Sequence, residues 1–166
     1  MRIRKIKYNR TGDEKGVLVR WEERGGEGSW DKREFESQDE PADEFGEALQ
    51  SLAGDVEKMC EIPHDGLHGI LVTGVTFSYG GEKEVMGAMI TAQRQLVNNP
   101  CAWNVNTPHK ASDSYSDTPA PREQLLQEDT IARLNDLIEQ AEGYIQGTRK
   151  QTSFLKDDKT EVTVKK

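Results

Sequence analysis

Cys60, His64 and His68 stand four residues apart with Asp65 between the histidines, so one thiolate and two imidazoles could supply three ligands to a zinc ion. Pro63 and Gly66 interrupt the helix that would bring them to one face, and no fourth ligand is near in sequence. The plainer reading is a helix-to-strand connection that happens to contain histidines, and no metal site is assigned. His64 or His68 could also serve as a general base, but a base needs a nucleophile within hydrogen-bond reach and the sequence indicates none. The glycine pair in Ser78-Tyr79-Gly80-Gly81-Glu82 matches neither a P-loop nor a dinucleotide fingerprint, because no Lys-Ser/Thr and no helix follow it. No catalytic residue and no cofactor are therefore expected. The basic strand Arg2-Ile3-Arg4-Lys5-Ile6-Lys7-Tyr8, with Trp21, Trp30 and Trp103, could present cations beside aromatics as single-strand nucleic-acid binders do. Its plainer reading is a solvated edge strand whose charges prevent edge-to-edge pairing.

Composition narrows the classes. The chain has 166 residues, enough for one domain and a short appendage, and its apolar share of 34% allows only a small core. Its net charge of −8 is unevenly spread: residues 1–10 hold five bases and no acid, whereas 11–61 hold 16 acids against 6 bases. Such a balance disfavours non-specific binding to nucleic acid or anionic membranes, except through a local basic patch. No apolar run approaches the roughly 20 residues of a membrane span, and no apolar stretch follows the basic start, so a cytosolic protein is expected. Cys60 and Cys101 are read as reduced thiols.

The elements that must position these residues follow from periodicity. Arg2–Tyr8, a strand containing Val17, Val19 and Trp21, and Ser29–Ser37 form a predicted three-stranded antiparallel meander. Phe45, Leu49, Leu52, Val56 and Met59 recur at steps of four and three, which predicts one helix over Pro41–Met59 lying on a sheet. Leu67–Tyr79 and Lys83–Gln95 read as a hairpin turning at Gly80-Gly81, with bulges or close backbone contacts at Gly69, Gly74 and Gly87, and Cys101–Asn106 as a last strand. The expected architecture is α+β, a mostly antiparallel sheet of about six strands covered by one helix, over residues 1–106. Residues 107–121, rich in Ser, Asp and Pro, read as a linker. Beyond it, Ile131, Leu134, Ile138, Ala141 and Ile145 predict an amphipathic helix over Arg122–Gln146, able to dock on the chain's own sheet or to pair with a second copy as a homodimer. Residues 156–166 form a charged tail.

Two resemblances bear on function. Gln151-Thr152-Ser153-Phe154-Leu155 resembles the bacterial sliding-clamp-binding peptide, which implies Gln151 as polar anchor and Phe154 and Leu155 as pocket fillers, with the usual order of the final pair reversed. Val75–Glu82, Met86–Ala92 and Asn106-Thr107-Pro108-His109 resemble a family of small bacteriophage proteins, a likeness that spans residues 40–155. That resemblance implies a viral protein in the host cell cytoplasm, close to replication or recombination, and assigns no catalytic residue. The expectation is a non-enzymatic accessory protein that binds a host protein such as the clamp. The alternative is an inhibitor of antiviral defence, acting by acidic mimicry of nucleic acid or by sequestering a nucleotide in a pocket at a dimer interface, clamped by Trp21, Trp30, Trp103 and Arg94.

Overall fold

A computed structural model describes residues 1–64 and 69–150. Strands β1 (Arg2–Asn9), β2 (Gly16–Arg24) and β3 (Trp30–Ser37) precede helices α1 (Asp43–Gln50) and α2 (Ala53–Met59). Strands β4 (Ile70–Gly80), β5 (Val85–Gln95), β6 (Ala102–Asn106) and β7 (Lys110–Ala111) follow, and α3 (Glu128–Ile145) ends the fold. All strands share one antiparallel sheet of order β3-β2-β1-β4-β5-β6, with β7 paired to β5. The α+β class, the meander and the β4–β5 hairpin are as the periodicity predicts. The hairpin loop differs: Gly80 remains in the ladder opposite Val85, and the turn runs over residues 81–84, with Gly81 at φ +73°.

The join between the two halves of the sheet is narrow. Strands β1 and β4 pair through Lys5↔Thr76, Ile6↔Val75 and Lys7↔Gly74, and both strands shift register beside this contact. Gly74 is required there, because a Cβ at this position would stand 2.5 Å from the carbonyl oxygen of Ile6.

One face of the sheet carries the core. Ile6, Val19, Val75, Phe77 and Ile90 are buried with Phe45 and Leu49 of α1, Val56 of α2, and Leu134, Leu137, Ala141 and Tyr144 of α3. Burying each large apolar side chain stabilises the fold by roughly 1.5–3 kcal/mol. The single helix expected over Pro41–Met59 is divided at Ser51-Leu52: the Ser51 hydroxyl donates to Ala48 O at 2.6 Å and the Leu52 N–H to Leu49 O at 3.2 Å, tightening the last turn of α1. The apolar stripe survives the break. Helix α2 stops before Pro63, at Glu61 in the left-handed region (φ 54°), where Ile62 N–H donates to Glu57 O and Glu61 N–H to Lys58 O. The same capping pattern ends α3 around Gly147, with Thr148 N–H donating to Gly143 O.

Helix α3 starts at Glu128, not at Arg122 as expected, because Arg122–Gln124 form a 3-10 turn and Leu125 is extended, and it docks on the chain's own core. Leu134 and Ala141 are fully buried and Ile131, Ile138 and Ile145 pack partly buried against the same cluster. The homodimer seam expected from these five residues is thus taken up within the chain. The segment 107–121, expected as a linker, begins with residues tied to the sheet: buried Thr107 exchanges two hydrogen bonds of 2.9 Å with Ile90, β7 pairs with β5, and Leu126 N–H donates to Ala111 O. An ion pair with a buried carboxylate fastens α2 to α3, since Asp55 of α2 accepts from Arg133 Nε and Nη2 at 2.8 Å and from the Thr130 hydroxyl at 2.7 Å. Among the described residues no helix is long and apolar enough to cross a membrane.

Candidate functional site

The helices cover only one side of the sheet, and the side chains that alternate with the core look out from the other. Along β1 the buried Ile6 separates Lys5 from Lys7; along β4 the buried Val75 separates Gly74 from Thr76; along β5 the buried Ile90 separates Met89 from Thr91. The ladder aligns Lys5, Thr76 and Met89 in one row and Lys7, Gly74 and Thr91 in the next. Because Gly74 has no side chain, the second row has a gap, and a groove of about 220 Å³ opens there, lined by Lys5, Lys7, Thr73, Thr76, Met89 and Thr91. Thr73 and Thr91 are anchored: the Thr73 hydroxyl donates to Thr91 O at 3.2 Å, and the Thr91 hydroxyl donates to Asn106 Oδ1 at 3.0 Å.

The four cations of β1 divide into two kinds. Arg2 donates to Glu22 at 2.8 Å and Glu84 at 3.2 Å and lies over the Trp30 ring at 3.8 Å, while Arg4 reaches Glu22 at 4.0 Å. Lys5 and Lys7 have no ion-pair partner among the described residues. Two positions apart on one strand, they stand roughly 7 Å from each other along it. A pair of unneutralised ammonium groups beside threonine hydroxyls can hold oxyanions, the lysines as point charges and the hydroxyls as adaptable donors.

Beyond Thr76 the same face carries a pair that no sequence pattern announced. Ser78 Oγ and His109 Nε2 are 2.6 Å apart, and a Cβ on Gly87 would collide with both atoms. Serine and histidine at this distance have the geometry of a nucleophile and its base, but among the described residues no carboxylate orients the other ring nitrogen. The pair ties the chain after β6 to β4 at one end of the groove.

Of the three residues weighed as metal ligands, His64 Nδ1 lies 2.8 Å from Glu57, Cys60 lies near Asn106 O with its thiol pKa pushed up by burial, and His68 lies outside the described residues; among the described residues no metal-holding cluster is found. The aromatics do not converge. Tyr8 packs edge-on against Phe45, Trp21 is buried, Trp30 lies beneath Arg2 and Arg24, and Trp103 is exposed on β6, opposite Arg94. Within the chain Trp21 and Trp103 belong to strands separated by β1, β4 and β5. Gln151, Phe154 and Leu155 lie outside the described residues. Thr73, Thr76, Met89 and Thr91 were missed because only the β1–β4 pairing places them beside the lysines; their sole signal in the sequence is alternation with apolar neighbours. No protein-family model matches the chain, and neither a curated protein nor a solved structure is significantly similar to it.

Proposed function

We propose that this protein acts by binding and that the groove between β1 and β4 takes the phosphates of a short nucleotide ligand. The observation that carries this reading is the pair Lys5 and Lys7, left without acidic partners beside the Gly74 gap. Their spacing of roughly 7 Å suits successive phosphodiesters of an extended strand. The uncovered face offers methionine and threonine rather than aromatic rings near these lysines, so contacts to phosphate outweigh base stacking and sequence preference is weak. Many carboxylates of the acidic segment 11–61 are paired, including Glu22, Glu34, Asp39, Glu40 and Asp55, with Arg2, Arg20, Arg149, Lys15 and Arg133 respectively. This pairing favours the cationic groove over acidic mimicry.

The test is fluorescence anisotropy with a labelled tetrathymidylate against the native protein and a Lys5→Gln, Lys7→Gln variant. Binding weakened about tenfold or more in the variant, with a shallower salt dependence, is expected. Equal affinity of the two proteins, or no binding by the native protein, overturns the reading.

A second reading, recruitment to a bacterial sliding clamp through Gln151, Phe154 and Leu155, rests on the motif and its place. It begins immediately after Lys150, whose N–H donates to Glu40 O at 3.1 Å as the last described residue. In a phage-infected cell such a motif would bring the folded domain to replicating DNA. Unchanged clamp affinity in a Phe154→Ala, Leu155→Ala variant removes it.

A further inference from the structure

On the helical side of the molecule, away from the groove, a second cavity gathers cations from three distant parts of the chain. Lys58 of α2, Lys110 of β7 and Arg122 of the 3-10 turn before α3 line a space of about 90 Å³, closed by Leu125, Leu126 and the Thr130 end of α3. Among the described residues none of the three has a carboxylate partner; Lys110 donates to a backbone carbonyl, Glu123 O, at 3.0 Å. The buried acid of the cavity, Asp55, does not neutralise them, because Arg133 already does so through two bonds of 2.8 Å and Thr130 occupies it further. Glu123 is the other acid on the wall. Three cations thus face this small space with one unpaired acid on its wall, while Glu128 and Asp129 line the adjoining recess that Arg122 and Glu123 share and not the cavity itself.

We propose that this cavity binds a phosphate monoester group. Its volume is that of a few water molecules, far below the roughly 300 Å³ at which pockets for whole nucleotides or drug-sized ligands begin, so it admits a phosphate and leaves the remainder of the ligand outside. Three cations against one free carboxylate suit a dianion better than a singly charged diester. The site is independent of the β1–β4 groove, whose two lysines suit diesters, and either can fail without the other. It also gives the segment after β6 a purpose: Lys110 and Arg122 flank a stretch rich in Ser, Asp and Pro whose ends the fold holds beside α2.

The experiment follows backbone amide shifts of the native protein titrated with inorganic phosphate at constant ionic strength, with dimethyl phosphate as the monoanionic comparison. Shifts confined to the surroundings of Lys58, Lys110, Leu126 and Thr130 are expected, saturable with phosphate and at least about tenfold weaker with dimethyl phosphate. A Lys58→Gln, Arg122→Gln variant, altered only at exposed side chains, should fold with an unchanged melting temperature and lose phosphate affinity about tenfold, whereas Lys5→Gln, Lys7→Gln should retain it. No saturable shift at these amides, equal response to both anions, or undiminished affinity in the folded Lys58→Gln, Arg122→Gln variant overturns the proposal.

Discussion

The uncovered face of the sheet has two halves built from the same alternation and put to different ends. Across β1, β2 and β3, charges meet opposite charges on the neighbouring strand: Arg20 pairs with Glu34, and Arg2 and Arg4 with Glu22. Across β4, β5 and β6 the outward positions are uncharged, mostly hydroxyls and amides such as Thr76, Thr91, Gln93, Asn104 and Asn106, with Leu71 and Met89 among them. Lys5 and Lys7 sit at the border between the two. A lysine flanked by carboxylates is already satisfied; one whose neighbouring strand offers threonine keeps its charge available for a ligand. The proposed binding groove lies at the seam where a charged half-sheet meets an uncharged one.

Four substitutions test this division of the sheet. The largest effect lies on the covered side, where Asp55→Ala strands the Arg133 guanidinium and the Thr130 hydroxyl between α2 and α3; a loss of about 3 kcal/mol is expected from chemical denaturation. Next is Gly74→Val, which fills the gap in the second row and drives a side chain against Ile6 O. It should cost about 1–3 kcal/mol and abolish binding in the β1–β4 groove together. Thr76→Glu sets a carboxylate directly opposite Lys5, converting the border into a copy of the paired half. Here stability should change by less than about 0.5 kcal/mol while tetrathymidylate affinity falls about tenfold; undiminished affinity would contradict the distinction between paired and available lysines. The smallest is Arg20→Gln, which removes an exposed pair worth about 0–1 kcal/mol and should leave tetrathymidylate affinity within about threefold of native.

A pH prediction concerns Tyr79, at the end of β4 near Arg2. Its hydroxyl donates to Ile3 O at 2.9 Å, and burial raises its pKa above the ordinary value of 10.0. The folded protein therefore holds this proton more tightly than the unfolded chain does. Its contribution is whole below pH 10.0 and is lost as pH rises through the higher folded value. Stability curves of native protein and Tyr79→Phe should converge at alkaline pH; parallel curves would show that this proton does not matter.

Much of the fold was legible because its signals are local. The stripe Phe45, Leu49, Leu52, Val56 and Met59 identified the covering helix even though Ser51 divides it, since the break changes hydrogen bonding without moving the apolar residues off their face. The α3 seam was legible as amphipathic, but whether it met the chain or a second copy depended on the space the sheet leaves for it. The candidate sites were largely hidden. Lys5 and Lys7 were visible as part of a basic strand, yet Arg2 and Arg4 looked the same until Glu22 was placed beside them. Ser78 and His109, 31 residues apart, meet only because Gly87 leaves room between them.

By itself the sequence determined what is repeated over short distances: strand and helix periodicity, the class of fold, and the concentration of bases in the first ten residues. Tertiary structure decided which of those bases stay unneutralised, because that depends on which strand lies next to which. The pairing of β1 with β4, 67 to 71 residues along the chain, sets Lys5 opposite Thr76 and Lys7 opposite Gly74, while β2 sets Arg20 and Leu18 on their other side, so no glutamate stands directly across from either lysine. In the same way Lys58, Lys110 and Arg122 line one cavity only because the fold brings β7 and the turn before α3 to α2. Local propensity acts between neighbours in sequence, whereas electrostatic balance is struck between neighbours in space.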